Sequence, residues 1–112
     1  MEIEAHNHRH IQVLKPQTQA LDASNSAVFK EIVRARLSAN AAILLNLENV
    51  NFMDSSGLGA LVWLLREVET QHGQVKLCSV NKPVQLLLEM VRMHRVFEIE
   101  PSVEQAVAGW VA

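Results

Sequence analysis

Apolar residues along this 112-residue chain fall into short blocks whose period switches between two and about three and a half. Residues 2–14 alternate weakly, with Ile11, Val13, Ile3 and Ala5 toward one face, which predicts two strands joined by a turn near Asn7. Pro16 closes the second strand or sits on a sheet edge. After Leu21-Asp22 the period lengthens. Phe29, Ile32, Val33 and Leu37 share a helical stripe from which Arg34 and Arg36 largely stand off, and Asp22 or Ser24 is the expected N-cap.

Residues 41–47 form a nearly continuous apolar run, too short for a typical helix and suited to a central strand buried on both faces. A loop from Glu48 to Gly57 then leads into a helix on which Leu58, Leu61, Val62, Leu65 and Val68 are expected to share a face. Gly73 ends that helix, Gln74 to Val80 reads as another strand, and Val84, Leu87, Leu88 and Val91 mark a helical face after Pro83. A short strand is expected at Val96 to Ile99. Finally, Ser102 and Gln105 suggest a capping box before a helix that aligns Val103, Ala106, Val107 and Trp110.

Strands alternating with helices predict an α/β fold: one domain over residues 1–112, with a mixed sheet of about four to five strands covered by about four helices. The middle of the sheet should be parallel and its N-terminal edge antiparallel.

Composition narrows the function. Half the residues (49%) are apolar and 20% are charged, the balance of a globular domain with a real core. A net charge of −2 without any basic run argues against direct nucleic-acid binding. No stretch approaches the length of a membrane span, and the N-terminus lacks signal-peptide character, so the cytoplasm is the expected location. The single cysteine, Cys78, lies in the apolar pattern of a strand and reads as a small buried residue. His6, His8 and His10 alternate along a predicted strand and would project from one face, but no thiol ligand stands nearby in sequence to complete a metal site. No metal ligands and no cofactor site are expected.

The chemistry concentrates in Asp54-Ser55-Ser56-Gly57-Leu58-Gly59, where an acid and two hydroxyls meet a helix start with its unpaired N–H groups. In the simplest reading one serine is an N-cap and the glycines permit tight geometry. A sharper reading makes Ser55 a phosphorylation site. The phosphate's charge of about −1.5 to −2 would be tolerated beside the N–H groups yet obstruct a docked partner.

Phe52-Met53-Asp54-Ser55-Ser56-Gly57-Leu58-Gly59, preceded by Ile43-Leu44-Leu45-Asn46-Leu47, resembles the signature of bacterial STAS domains, specifically the stand-alone anti-sigma factor antagonists. The likeness runs from about residue 2 to residue 110 and includes the Leu21-Asp22 pair, although Gln19-Ala20 stands where the family usually has a glycine. It implies a partner-switching cycle. The unphosphorylated antagonist binds an anti-sigma factor that is also an ATP-dependent serine kinase, releasing a sigma factor or other target. Phosphorylation of the serine after the aspartate, Ser55 here, ends binding, and a metal-dependent serine phosphatase reverses it. Asp54, Ser56, Gly57, Leu58 and Gly59 are then expected at the partner surface, bordered by Asp22 and Ser24 of a second loop.

Asp54 either orients its loop or touches the partner. Trp63 stands about 140° from Leu58 on the helical wheel, as an exposed anchor or as a cover for the core edge, and Leu86, Met90 and Met93 form a second stripe with the same ambiguity. A monomer or weak dimer is expected.

Two other functions compete. Ser55 as a catalytic nucleophile would need a base, yet there is no Gly-x-Ser-x-Gly elbow and only His72 and His94 stand as distant candidates. Neither a phosphate loop nor a kinase signature is present, so the chain itself is not expected to be an enzyme. Alternatively, a STAS-like domain serves as an unmodified scaffold or an accessory subunit of a signalling or lipid-transport assembly, with Ser55 never phosphorylated.

Overall fold

A computed structural model of the chain describes residues 1–110. Strands β1 (Ile3–His8) and β2 (Ile11–Pro16) form an antiparallel hairpin. Its turn falls at Arg9 and His10, two residues later than expected, with Arg9 in the left-handed region at φ 57°. His10 therefore lies beyond the strand that carries His6 and His8. Then follow β3 (Ala20–Leu21), α1 (Ser26–Arg34), β4 (Ala42–Asn46), β5 (Phe52–Met53), α2 (Ser55–Thr70), β6 (Gln74–Cys78), α3 (Lys82–Met90), a 3₁₀ turn (Met93–Arg95), β7 (Glu98–Glu100) and α4 (Val103–Ala108). The last strand begins two residues after the expected Val96 because the 3₁₀ turn takes up the preceding segment.

The main sheet has the order β1-β2-β4-β6-β7, with β1 antiparallel and the other pairs parallel. This is the architecture expected of the sequence. Every residue of β4 is buried, as a strand covered on both faces requires. Ile43 and Leu45 join the main core with Phe29 and Val33 of α1, Leu61, Leu64 and Val68 of α2, and Val84 and Leu88 of α3. Ala42 and Leu44 face the opposite side, where Ala106 of α4 and Trp110 complete a second, smaller core with Ile11, Val13 and Cys78. Three helices thus cover one face and α4 the other.

Burial also raises the Cys78 thiol to about 11, which makes it inert as a nucleophile near neutral pH. Lys76 crosses the second face. Its ammonium lies 4.8 Å from the Trp110 ring centroid and 3.2 Å from the Glu98 carboxylate, so a nearly buried lysine keeps its charge compensated.

Two local expectations change. The α1 N-cap is Asn25, with no side-chain cap bond, rather than Asp22 or Ser24. Asn25 instead accepts from the Asp22 N–H at 3.0 Å and donates to the Ala20 carbonyl at 2.8 Å, folding the entry loop onto itself. The buried stripe of α2 is Gly57, Ala60, Leu61, Leu64 and Val68, while Leu58, Val62 and Leu65 are half-buried. Apolar side chains surround most of α2, so the small residues Gly57 and Ala60 decide which side lies closest to the sheet. Near the helix exit, Gly73 has no room for a Cβ against the Ala41 carbonyl.

Candidate functional site

The segment between β4 and α2 is more ordered than a plain loop. Phe52–Met53 pairs in parallel with Ala20–Leu21 as a separate two-stranded sheet, and the Asn51 and Phe52 N–H groups both donate to the Gln19 carbonyl, at 2.8 and 3.2 Å. Asn81, at the start of α3, donates to the Glu48 and Val50 carbonyls at 2.7 and 3.0 Å and braces the same segment from the other side. The bracing by Asn81 leaves no local signal in the sequence, because its partners lie 33 and 31 residues away.

Helix α2 begins at Ser55 with Asp54 as its N-cap. Asp54 Oδ1 accepts from the N–H groups of Ser56 and Gly57 at 2.9 and 3.0 Å, so the acid and not a serine caps the helix. Its Oδ2 accepts from the Ala23 N–H at 3.0 Å. One carboxylate therefore ties the α2 start to the β3–α1 loop. In that loop Asp22 Oδ1 accepts from both the backbone N–H and the hydroxyl of Ser24, at 2.9 and 2.6 Å. Hydrogen bonds from Gly57 first, with Ala23 and Ser56 adding to them, outweigh desolvation and hold the Asp54 carboxyl below its ordinary value.

Around this clamp Ser55 is exposed, as are Gly59, Ala23 and Ser24; Ser56, Leu58, Asp22 and Asp54 are half-buried. Gly57 is not on the surface. It is buried, and a Cβ there would collide with the Leu21 carbonyl and crowd Met53, so this glycine serves the chain's own packing. An added Cβ at Gly59 would meet nothing within 4 Å. Trp63, two turns along α2, packs half-buried against the main core with the Arg34 guanidinium 5.1 Å from its ring centroid. It covers the core edge.

Of the second stripe, Leu86 and Met90 are exposed and Met93 packs on the core. Phe52, 56% exposed, joins Leu86, Met90 and Pro83 around a shallow hollow of about 250 Å³ beside the β5–α2 junction. Sequence reading did not anticipate Phe52 here, since the signature block drew it into the loop. The N–H groups expected to cradle a phosphate are those Asp54 already fills. Among the described residues, no three His, Cys, Asp or Glu side chains converge on a point that could hold a metal, and no helix is long and apolar enough to cross a membrane.

The family model for the STAS domain matches residues 2–106. An anti-sigma F factor antagonist of Paenibacillus polymyxa is 30% identical over 103 residues, covering 88% of this chain and 86% of its own. The chain belongs to the STAS domain family. Among solved structures, this STAS domain is similar to a Thermotoga maritima protein proposed to be an anti-sigma factor antagonist, with a TM-score of 0.87 at 25% identity over 95% of this chain and 92% of that one. The antagonist SpoIIAA in its unphosphorylated form shares the fold, with a TM-score of 0.77 at 22% identity over 99% and 100% of the two chains. The resemblance drawn from the Asp54–Gly59 block therefore holds for family and fold alike.

Proposed function

We propose that this STAS domain is an anti-sigma factor antagonist whose binding is switched by phosphorylation of Ser55. The observation that carries this reading is an exposed serine hydroxyl at the first residue of α2, beside a carboxylate that already occupies the neighbouring helix N–H groups. In the unmodified state the surface there is built of small side chains, Ser55, Ser56, Leu58 and Gly59, with Ser24 and Asp22 at its border. An anti-sigma factor that is also an ATP-dependent serine kinase docks on it and releases its sigma factor or other target.

Phosphorylation adds about −1.5 to −2 charges next to Asp54, where like charge directs the group away from the helix and into the interface. Docking is lost without refolding of the domain. A metal-dependent serine phosphatase restores the unmodified surface, and the whole cycle runs in the cytoplasm. Trp63 extends the partner surface along α2.

Affinity of the chain for a co-encoded anti-sigma factor tests this. Ser55→Ala is expected to bind as the unmodified protein does and to resist ATP, whereas Ser55→Asp loses about tenfold or more, equivalent to ~1.4 kcal/mol per factor of ten. Equal binding by Ser55→Asp and the unmodified chain would contradict the reading.

A further inference from the structure

The five-stranded sheet has two edges, β7 with three residues and β1 with six. On the β1 side, the Gln17 N–H donates to the Glu2 carbonyl at 2.9 Å, one step beyond the Ile3↔Pro16 pair. Bonded and non-bonded pairs alternate in an antiparallel ladder. Glu4, His6 and His8 therefore turn their backbone groups toward β2, and Ile3, Ala5 and Asn7 turn theirs to the open edge. The register runs unbroken from Ile3↔Pro16 to His8↔Ile11, so no bulge twists this edge away, and β1 contains neither proline nor lysine. Those are the usual devices that keep an exposed edge from pairing.

Its side chains are arranged asymmetrically. Glu2, Glu4, His6 and His8 are all exposed, acids first and imidazoles second, with the His6 and His8 ring centroids 5.0 Å apart. Ile3 and Ala5 lie half-buried on the other side, against the main core.

We propose that β1 is the surface through which two copies of this chain pair, edge to edge and antiparallel, continuing the sheet across a two-fold axis. Charge complementarity selects the register. Centring the pair on Ala5 sets Ile3 opposite Asn7 of the second copy and Ala5 opposite itself, so all three outward-facing residues exchange backbone hydrogen bonds. The same register places Glu4 beside His6 and Glu2 beside His8 of the second copy, each twice by symmetry. A carboxylate accepts an N–H from an imidazole in either of its protonation states. Centring on Glu4 would instead oppose two carboxylates, and centring on His6 two imidazoles; each leaves one outward-facing residue without a strand partner. A contact of one short strand lies at the weak end of specific interfaces, so the pairing is concentration-dependent.

Sedimentation velocity from about 1 µM to about 1 mM, with amide hydrogen exchange on the same samples, tests this. The wild-type chain should pass from monomer to dimer, and the Ile3, Ala5 and Asn7 amides should gain protection as it does. His6→Glu sets a carboxylate against Glu4 and should weaken pairing about tenfold or more; the double variant Glu4→His with His6→Glu recreates the pair and should restore it. Ala5→Pro removes an outward N–H while sparing the β1–β2 ladder, and should leave a folded monomer. A wild-type chain that stays monomeric throughout would overturn the proposal. So would a dimer whose Ile3, Ala5 and Asn7 amides gain no protection, or one that His6→Glu leaves intact.

Discussion

Around Ser55, three neighbouring residues have three different jobs. Ser55 is exposed, Asp54 ties two loops together, and Gly57 is buried against the Leu21 carbonyl. The two glycines should consequently respond in opposite ways. Gly57→Ala forces β3 and α2 apart and is expected to destabilise by about 1–3 kcal/mol, whereas Gly59→Ala, with open space around it, should stabilise by about 0.5–1 kcal/mol through helix propensity. Urea denaturation of both variants checks the contrast.

Asp54 carries a sign that can be worked out. Its folded carboxyl is held below the ordinary value, so its contribution to stability is present above that value and lost as pH falls through the folded one. Asp54→Asn removes this titration and offers a single acceptor where Asp54 uses two oxygens. It is expected to be less stable at neutral pH and to show a shallower loss of stability in acid, read by denaturant melts across the carboxylate range.

Elements were legible to different degrees. The order of strands and helices followed from period changes, and β4 from an apolar run that only a doubly covered strand explains. Alternation in the hairpin is weak because the odd positions of β1 run from Ile3 through Ala5 to the exposed Asn7, so the pattern suggests a turn at Asn7 instead of Arg9 and His10. The α2 face was misphased for a different reason. Apolar residues on nearly every side leave the wheel undetermined, and the close approach of Gly57 to Leu21 settles it through a contact between remote segments. Strands β3 and β5, two residues each, carry no periodic signal at all. As for the site, the signature block located Ser55 and Asp54 directly, but not the bond from Ala23 or the bracing by Asn81.

One helix, α4, covers the second sheet face, and Trp110 beyond its end closes that core over Ile11, Val13 and Cys78. Trp110→Ala should cost about 3 kcal/mol or more and also strip the Lys76 ammonium of its aromatic cover. Replacing Lys76 with methionine in that background should recover part of the loss, since it removes an ammonium left with only the exposed Glu98 carboxylate as its partner. Thermal or chemical melts of the single and double variants measure the coupling.

Across the whole molecule, the proposed switch asks little of the fold. The α2 start is capped internally, the flanking loop is tied to it through Asp54, and β5 is pinned to β3, so the surface around Ser55 is held ready in one shape. Charge, rather than rearrangement, then controls docking. The edge strand β1 contributes none of these residues, so self-pairing and partner switching can be measured separately.

The most direct measurement is peptide mapping by mass spectrometry after incubation with ATP and the co-encoded anti-sigma factor, with binding followed on the same sample. A single phosphate on Ser55, absent from Ser55→Ala and accompanied by release of the anti-sigma factor, is the expected result. An unmodified Ser55, a phosphate on Ser56 instead, or a phosphorylated chain that stays bound would contradict the account.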